Sequence, residues 1–172
     1  MRIIDCTLEH ADTVLAILND AIINSTALYD YVPRTPEMIA NWFESKRIGN
    51  LPIIGAIDDA NQLLGFATYG PFRNFPAYKY TVEHSLYITS SLRGKGIGTL
   101  LMRELIDRAV QQQLHVLVGA IDSSNAPSIA LHEKFGFRLV GTMPQVGFKF
   151  RRWLDLCFYQ LMLPTPTEPR DG

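Results

Sequence analysis

The stretch Arg93-Gly94-Lys95-Gly96-Ile97-Gly98 joins a strand-like segment to a helix-like segment through a turn rich in glycine. Residues 81–89 before it (TVEHSLYIT) are rich in β-branched and aromatic side chains, which is typical of strands. After it, apolar residues recur at every fourth position, as on one face of an amphipathic helix: Ile97, Leu101, Leu105 and Ala109. Because glycines carry no side chain, the backbone N–H groups of such a turn can close around a phosphate at the start of a helix. The unit therefore predicts a site for a nucleotide or a coenzyme.

The spacing of the glycines narrows the class of phosphate ligand. A mononucleotide P-loop has four residues between two glycines and then Gly-Lys-Ser/Thr, which this turn lacks. The dinucleotide fingerprint needs glycine or alanine where this chain has Thr99, so its spacing fails as well. The pattern that fits is Arg-x-x-Gly-x-Gly, formed by Arg93, Gly96 and Gly98. It resembles the coenzyme A pyrophosphate loop of the GCN5-related N-acetyltransferase (GNAT) superfamily. The alternative is a turn that only connects a strand to a helix.

The composition predicts one globular domain in the cytoplasm. The chain has 172 residues, of which 47% are hydrophobic, and a formal net charge of −1 at pH 7. Its Lys and Arg residues are scattered without a basic stripe, so we expect no nucleic-acid partner. The apolar runs are short, and residues 1–5 begin a strand rather than a signal peptide, so we expect neither export nor a membrane partner.

The cysteines and histidines predict neither a disulfide nor a metal site. Cys6 and Cys157 lie far apart in strand-like runs, which favours buried free thiols in a reducing compartment over a disulfide. Four histidines have no ligand spacing with one another or with a cysteine: His10, His84, His115 and His132. We therefore expect no bound metal.

The uneven alternation of strand and helix patterns predicts an α/β (α+β) fold with a single mixed sheet flanked by helices. Strands are predicted at 1–6, 52–57, 63–69, 81–89, 116–121 and 138–142, with a closing hairpin at 147–150 and 154–163. Helices are predicted at 8–23, after the capping residue Thr35 with Pro36 at the first position, from residue 97, and at 127–135. Residues 1–163 form the predicted domain, and the proline-rich segment 164–172 is predicted to be a loose tail.

Several further segments are similar to one branch of the same superfamily. They are residues 24–26 (NST), 81–87 (TVEHSLY), Asn125, 131–137 (LHEKFGF), 147–150 (GFKF) and 152–155 (RWLD). In order and spacing they resemble the phosphinothricin and methionine sulfoximine/sulfone acetyltransferases. The resemblance implies the GNAT acyl-CoA N-acyltransferase fold over residues 1–163, acetyl-CoA (coenzyme A) as the cofactor, and a homodimer.

Acetyl transfer to an amine needs a base, because the acceptor arrives as an ammonium ion and only the free amine attacks a thioester. The resemblance implies that Glu83 is this base, and its carboxylate would also attract the ammonium. The alternative is a solvated or salt-bridged strand residue. Alternation along the strand places Ser85 and Tyr87 on the side of Glu83 and His84 on the other, so only the backbone of His84 is expected to matter.

The second candidate catalytic residue is His132, as the proton donor to the leaving thiolate. It holds a helix position at which the wider superfamily often has tyrosine, and histidine donates protons near neutral pH. Two alternatives stay open. In one, His132 is a packing residue with a satisfied hydrogen bond; in the other, it is a neutral hydrogen-bond partner of the cofactor.

The resemblance also implies which residues bind acetyl-CoA. The backbone of Leu86, Tyr87 and Ile88 would bind the pantetheine arm as an added strand, and one of these N–H groups would polarise the thioester carbonyl. The pyrophosphate would lie against the turn formed by Arg93, Gly94, Lys95, Gly96, Ile97, Gly98 and Thr99. Asn125 matches a cofactor-binding position and is equally suited to cap the helix that follows it.

Substrate contacts are expected in two segments: the loop residues Arg73, Asn74 and Phe75 and the strand residues Glu83, His84 and Ser85. Arg73 would clamp the carboxylate of the acceptor with its planar guanidinium, unless it is an ordinary surface arginine. The chain departs from the family at Phe72, where tryptophan is common, and at Arg151, where glycine usually stands. Both departures affect the prediction of which acceptor binds more than the prediction of which reaction is catalysed.

The sequence thus predicts an acetyl-CoA-dependent N-acetyltransferase that acetylates the amino group of a small amino-acid analogue by direct attack in a ternary complex. The implied acceptors are of the phosphinothricin, methionine sulfoximine or methionine sulfone type. Two alternatives remain: an acetyltransferase for peptide or protein amines, and a non-catalytic acyl-CoA sensor. The expected partners are a small amino-acid-like substrate and a second copy of the chain.

Overall fold

The structure, a computed structural model, describes residues 1–171. Its strands are β1 (Arg2–Asp5), β2 (Ile53–Ile57), β3 (Leu63–Pro71), β4 (Thr81–Ile88), β5 (Val116–Asp122), β6 (Arg138–Lys149) and β7 (Arg152–Met162). Its α-helices are α1 (Ala11–Asn24), α2 (Pro36–Ile48), α3 (Ile97–Gln111) and α4 (Ala126–Lys134). Short 3-10 turns lie at Leu8–His10, Pro76–Tyr78 and Ser90–Leu92. No helix within residues 1–171 is both long enough and apolar enough to cross a membrane.

The seven strands found in residues 1–171 form one mixed sheet in the order β1-β2-β3-β4-β5-β7-β6. Strands β4 and β5 run parallel, whereas β1–β2, β2–β3, β5–β7 and β6–β7 are antiparallel pairs. Helices flank this sheet. The predicted α/β (α+β) class with a single mixed sheet is therefore confirmed.

The register between β4 and β5 is short. Three residue pairs define it: Thr81 with Val116, Val82 with Leu117, and Glu83 with Val118. Strand β4 continues to Ile88 and β5 to Asp122, so both strands run on past the last paired position. This position matters for function because Glu83 is the predicted base.

The chain forms two compact units, the first of which comprises Met1–Thr68 and Leu86–Glu104. Its core joins residues of α1, α2, β2 and β3: Val14, Ile17, Leu18, Ile39, Phe43, Ile53, Ile57, Leu63 and Phe66. Helix α2 begins as predicted, because the Thr35 hydroxyl oxygen accepts a hydrogen bond from the Met38 N–H at 3.2 Å and Pro36 is the first helical residue. The predicted hairpin of β2 and β3 is also present.

The second unit comprises Tyr69–Ser85 and the described residues from Leu105 onward. Its buried side chains come from α3, β5, β7 and the turn before β6: Leu105, Ala109, Leu117, Ile121, Phe137 and Leu154. Strands β6 and β7 pair as a long hairpin, and β6 is the last strand of the sheet. Most residues of β6 are exposed.

Two predicted strands are one strand in the structure. The strand predicted at 138–142 continues to Lys149, so residues 147–149 are the end of β6 rather than a separate strand. Register shifts between Leu139 and Gly141 and between Met143 and Gly147 let β6 bulge while it stays paired with β7. These bulges interrupt the alternation of side chains along the strand, which is why the pattern predicts two short strands.

The proline-rich segment predicted to be a loose tail forms neither helix nor strand over residues 163–171. Thr165 within it is buried, and its hydroxyl donates a hydrogen bond to the carbonyl oxygen of Leu114. The carbonyl oxygen of Thr165 contacts Nδ1 of His115 at 2.8 Å. The first residues of this segment are therefore anchored just before β5, and Gly172 lies outside the described residues.

Candidate active site

The glycine-rich turn lies between the end of β4 and the start of α3, as the sequence predicts. Gly94 and Gly96 have φ angles of 78° and 83°, and a Cβ atom at either position would meet nothing within 4 Å. Glycine is therefore needed here for its backbone conformation rather than for space. The turn is exposed from Arg93 to Gly96, whereas Ile97 and Gly98 are buried in the first turn of α3. An exposed turn at a helix N-terminus is suited to a phosphate group.

The end of β4 belongs to the first unit and lies against β3. The ring of Tyr87 is 5.4 Å from the ring of Phe66, centroid to centroid. A Cβ atom on Gly65 of β3 would come within 2.7 Å of the Tyr87 carbonyl oxygen, so the two strands approach closely. Residues Leu86–Ile88, the predicted site for the pantetheine arm, lie past the register with β5, which ends at Glu83. A chain that binds as an added strand uses backbone groups in this kind of position.

Glu83 and Arg73, the predicted base and the predicted carboxylate clamp, interact electrostatically within the second unit. Glu83 is half-buried at the last position of β4 that is in register with β5. Burial raises the pKa of its carboxyl group above the ordinary value, and the positive charge of Arg73 opposes part of this rise. A carboxylate with a raised pKa is a stronger proton acceptor, which suits a general base.

Phe72 positions Arg73 in the loop after β3. The central guanidinium carbon of Arg73 lies 4.6 Å from the centroid of the Phe72 ring, a cation–π contact. The Phe72 ring in turn packs edge-on against Tyr78 at 5.8 Å. An aromatic side chain at position 72 therefore orients the guanidinium, although it is not the tryptophan common in the family. Asn74 and Phe75 are exposed on the same loop and are accessible to a ligand.

The side chains of His84 and His132 form a buried pair in the second unit, with their Nε2 atoms 2.9 Å apart. The expectation that only the backbone of His84 matters needs correction, because its imidazole contacts the second candidate catalytic residue. The alternation along β4 that separates His84 from Glu83 turns the imidazole toward α4. The pair is not predictable from residue spacing, because the two histidines are 48 positions apart in the chain and meet only in the folded protein.

Both ring nitrogens of His132 have protein partners. Nε2 contacts His84, and Nδ1 donates to the carbonyl oxygen of Ser128 at 2.7 Å. Proton donation to a thiolate would require one of these contacts to open. Burial also lowers the pKa of His132, which disfavours the protonated form at neutral pH. This geometry supports the alternative in which His132 is a packing residue with satisfied hydrogen bonds.

Asn125 caps helix α4, since its Oδ1 accepts a hydrogen bond from the Ser128 N–H at 3.3 Å. Three further residues, to which the sequence assigns no role, support the same turn. The Asp122 carboxylate accepts hydrogen bonds from both the N–H and the hydroxyl of Ser124 at 2.7 Å, and Arg152 of β7 approaches Asp122 at 3.8 Å. The sequence signal for this turn is an aspartate that ends a strand and is followed two residues later by a serine.

The predicted site residues fall into two groups, one in each unit. The first unit holds Leu86–Ile88 and the turn, in which Lys95 is exposed and Thr99 lies in the first turn of α3. The second unit holds the remainder: Arg73, Asn74, Phe75, Glu83, His84, Ser85, Asn125 and His132. The first group is suited to hold a phosphate-bearing cofactor, and the second is suited to accept a proton and to recognise a carboxylate.

Comparison with known proteins gives consistent results. The model of the acetyltransferase (GNAT) family matches residues 19–137. The L-methionine sulfoximine/L-methionine sulfone acetyltransferase of Pseudomonas aeruginosa is 49% identical over 160 residues, which cover 91% of each chain. Among solved structures, a phosphinothricin acetyltransferase of Sinorhizobium meliloti in complex with acetyl-CoA has a TM-score of 0.94 at 32% identity and covers 99% of this chain and 92% of its own. A ribosomal-protein-alanine N-acetyltransferase of Brucella melitensis has a TM-score of 0.92 at 40% identity. The match covers 95% of this chain and 100% of the Brucella melitensis chain.

The conformation of the turn predicts the effect of Gly96→Ala. A side chain in the left-handed region costs about 1–2 kcal/mol, so the free turn of the variant should relax to another conformation. Binding acetyl-CoA must then restore the strained one, which should raise the KM for acetyl-CoA up to roughly 5- to 30-fold. The control is Arg47→Gln, because Arg47 lies on α2, outside the turn, and its side chain is largely exposed. Steady-state thiol release measures both variants. An unchanged KM in Gly96→Ala would show that the turn does not hold the cofactor.

Proposed function

Because the chain belongs to the acetyltransferase (GNAT) family and is an acetyl-CoA-dependent N-acetyltransferase, we propose that it acetylates the amino group of a small amino-acid analogue. The proposed acceptors are of the methionine sulfoximine, methionine sulfone or phosphinothricin type, the compounds named for its relatives. The observation that carries the proposal is that Glu83 is half-buried at the end of its register with β5, where the positive charge of Arg73 also acts on its carboxyl group. A base beside a guanidinium suits an acceptor that carries both an amino group and a carboxylate.

Glu83 would take the proton that the acceptor's ammonium group must lose, directly or through one water molecule. The freed amine nitrogen then bonds to the acetyl carbon while the bond from that carbon to sulfur breaks. The leaving thiolate takes up the second proton, which the nitrogen loses as it becomes an amide. Backbone N–H groups of Leu86–Ile88 would stabilise the negative charge on the carbonyl oxygen. Arg73 would hold the acceptor's carboxylate, and the turn from Arg93 to Thr99 would hold the pyrophosphate of acetyl-CoA.

Thiol release from acetyl-CoA with a panel of acceptors tests the substrate class. Methionine sulfoximine, methionine sulfone and phosphinothricin should give kcat/KM values at least about tenfold above those of methionine and of a peptide with N-terminal alanine, because hydrogen bonds to their oxygens discriminate strongly. A preference for the peptide would favour a protein N-acetyltransferase, the activity named for the Brucella melitensis structure. Binding of acetyl-CoA without thiol release for any acceptor would indicate a sensor.

Two substitutions test the roles of Glu83 and Arg73. Glu83→Gln should lower kcat/KM by about 100-fold or more, since general bases contribute roughly that much. In Arg73→Gln the charge that holds down the pKa of Glu83 is gone, so that pKa rises and the acid limb of the kcat/KM profile moves to higher pH. The exposed Arg47 of α2, which pairs with Glu44 at 2.7 Å, provides the control Arg47→Gln. An acid limb that stays in place in Arg73→Gln would contradict the proposed contact.

We also propose that β6 is covered by a second copy of the chain in a homodimer. As an edge strand of 12 residues, β6 would otherwise leave unpaired backbone groups and apolar side chains in water. Its exposed apolar residues are Leu139, Val140, Met143, Val146 and Phe148, and Trp153 of β7 packs on Phe148 at 5.0 Å. Sedimentation velocity should find a dimer that Val140→Lys dissociates, while Ile48→Lys on the exposed face of α2 leaves it intact. A wild-type monomer would contradict this proposal.

We propose that the protein is located in the cytoplasm. Cys6 and Cys157 are free cysteines, which persist in a reducing environment. Burial raises the pKa of the Cys6 thiol to about 12, so this thiol stays protonated and unreactive at neutral pH.

A further inference from the structure

The buried imidazoles of His84 and His132 contact each other, and each also contacts a backbone carbonyl oxygen. His84 is 6% exposed and His132 is 5% exposed, and their Nε2 atoms are 2.9 Å apart. Nδ1 of His84 lies 2.9 Å from the carbonyl oxygen of Val118, and Nδ1 of His132 lies 2.7 Å from that of Ser128. The chain of contacts therefore runs from a backbone carbonyl of β5 through both rings to a backbone carbonyl of α4.

This arrangement couples the protonation of the two rings. A carbonyl oxygen only accepts hydrogen bonds, so each Nδ1 contact needs a proton on Nδ1, and the contact between the Nε2 atoms needs a third. Two neutral imidazoles carry two N–H protons, so the neutral pair leaves one of the three contacts without a hydrogen. A third proton completes all three contacts and gives the pair one positive charge. The rings therefore gain or lose that proton as a unit.

The surroundings of the pair keep it neutral in ordinary conditions. Burial and the neighbouring ring lower the pKa of His84, and burial lowers that of His132. The ring of Phe137 packs on both imidazoles, with centroids 5.3 Å from His84 and 5.0 Å from His132. The titratable neighbours are Tyr159 of β7, whose ring is 6.3 Å from that of His132, Glu133 of α4, which accepts a 3.5 Å hydrogen bond from Tyr159, and Glu83 next to His84 in β4.

Gly119 of β5 provides the space that the pair occupies. A Cβ atom at this position would come within 2.8 Å of Nε2 of His132 and 3.0 Å of Cε1 of His84. The φ of Gly119 is not in the left-handed region, so the glycine is needed for room and not for conformation. Val118, whose carbonyl His84 contacts, is in register with Glu83, the last paired residue of β4. The pair thus ties β4, β5 and α4 together where the register ends.

We propose that His84 and His132, in the space left by Gly119, form a coupled pair whose contacts fix β4 at the end of its register with β5 and so position Glu83. The pair is neutral in the working enzyme and takes up one proton, shared by both rings, only in acid. Both histidines are then positioning residues. The proposal rests on the proposed function in that Glu83 is the base whose position is fixed. It assigns no proton transfer to the pair, because both ends of the contact chain are backbone carbonyls.

The first test is the titration of the two imidazoles by nitrogen NMR, which needs neither acetyl-CoA nor an acceptor. In the wild-type protein the ring nitrogens of both histidines should change shift together, in one step that takes up one proton. Gly119→Ala should separate this into two independent steps, and Arg47→Gln on the exposed face of α2 should leave it unchanged. Independent titration of the rings in the wild-type protein would overturn the proposal, whatever the acceptor of the enzyme is.

The second test is a double-mutant cycle on activity. His84→Gln and His132→Gln should each lower kcat about tenfold or more with little change in the KM for acetyl-CoA, and the double variant should lose no more than either single variant. Gly119→Ala should lower kcat and move the acid limb of the pH profile, because Glu83 has shifted. Single variants with full kcat, or losses that multiply in the double variant, would refute the pair while leaving the proposed function intact. If the wild-type enzyme acetylated none of the acceptors, only the proposed function would be refuted. The NMR titration would still test whether the two histidines form a coupled pair.

Discussion

The register of strand β4 with β5 ends at Glu83, and the candidate site residues of β4 lie at this position and after it. The last paired residue is Glu83, whose carboxylate is half-buried as a result. The next residue, His84, contacts β5 through its side chain. The final residues, Leu86–Ile88, lie against β3 and lead into the glycine-rich turn. The eight residues of β4 therefore include the proposed base, a histidine proposed to position it, and the residues expected to contact the cofactor.

Burial shifts the pKa values of the two kinds of titratable group in β4 in opposite directions. It raises the pKa of Glu83, so that the carboxylate becomes a stronger base, and it lowers the pKa of His84, so that the imidazole becomes a weaker one. Arg73 limits the rise at Glu83, which keeps the carboxylate charged over a wider range of pH. These opposite shifts suit Glu83 to the proposed role of base and the neutral histidines to the proposed role of holding the strand.

Local chemistry was readable from the sequence, whereas contacts between distant segments were not. The glycine-rich turn before α3, the Thr35 cap and the β2–β3 hairpin follow from residue types at short spacing, and the structure has all three. The length of β6 was missed because its bulges depend on pairing with β7. The contact of His84 with His132 was missed because alternation gives the side of a strand on which a residue lies but not the helix that packs there. Family resemblance named the site residues, and only the coordinates relate Glu83 to Arg73.

Hydrogen exchange with and without acetyl-CoA measures most directly whether the end of β4 and the turn after it hold the cofactor. We expect acetyl-CoA to slow exchange of the backbone amides in residues 86–88 and 93–99. These N–H groups would become donors to the pantetheine arm and the pyrophosphate. We also expect this protection to be weaker in Gly96→Ala at equal acetyl-CoA concentration. Protection confined to other segments, with the amides of residues 86–99 unchanged, would contradict this expectation.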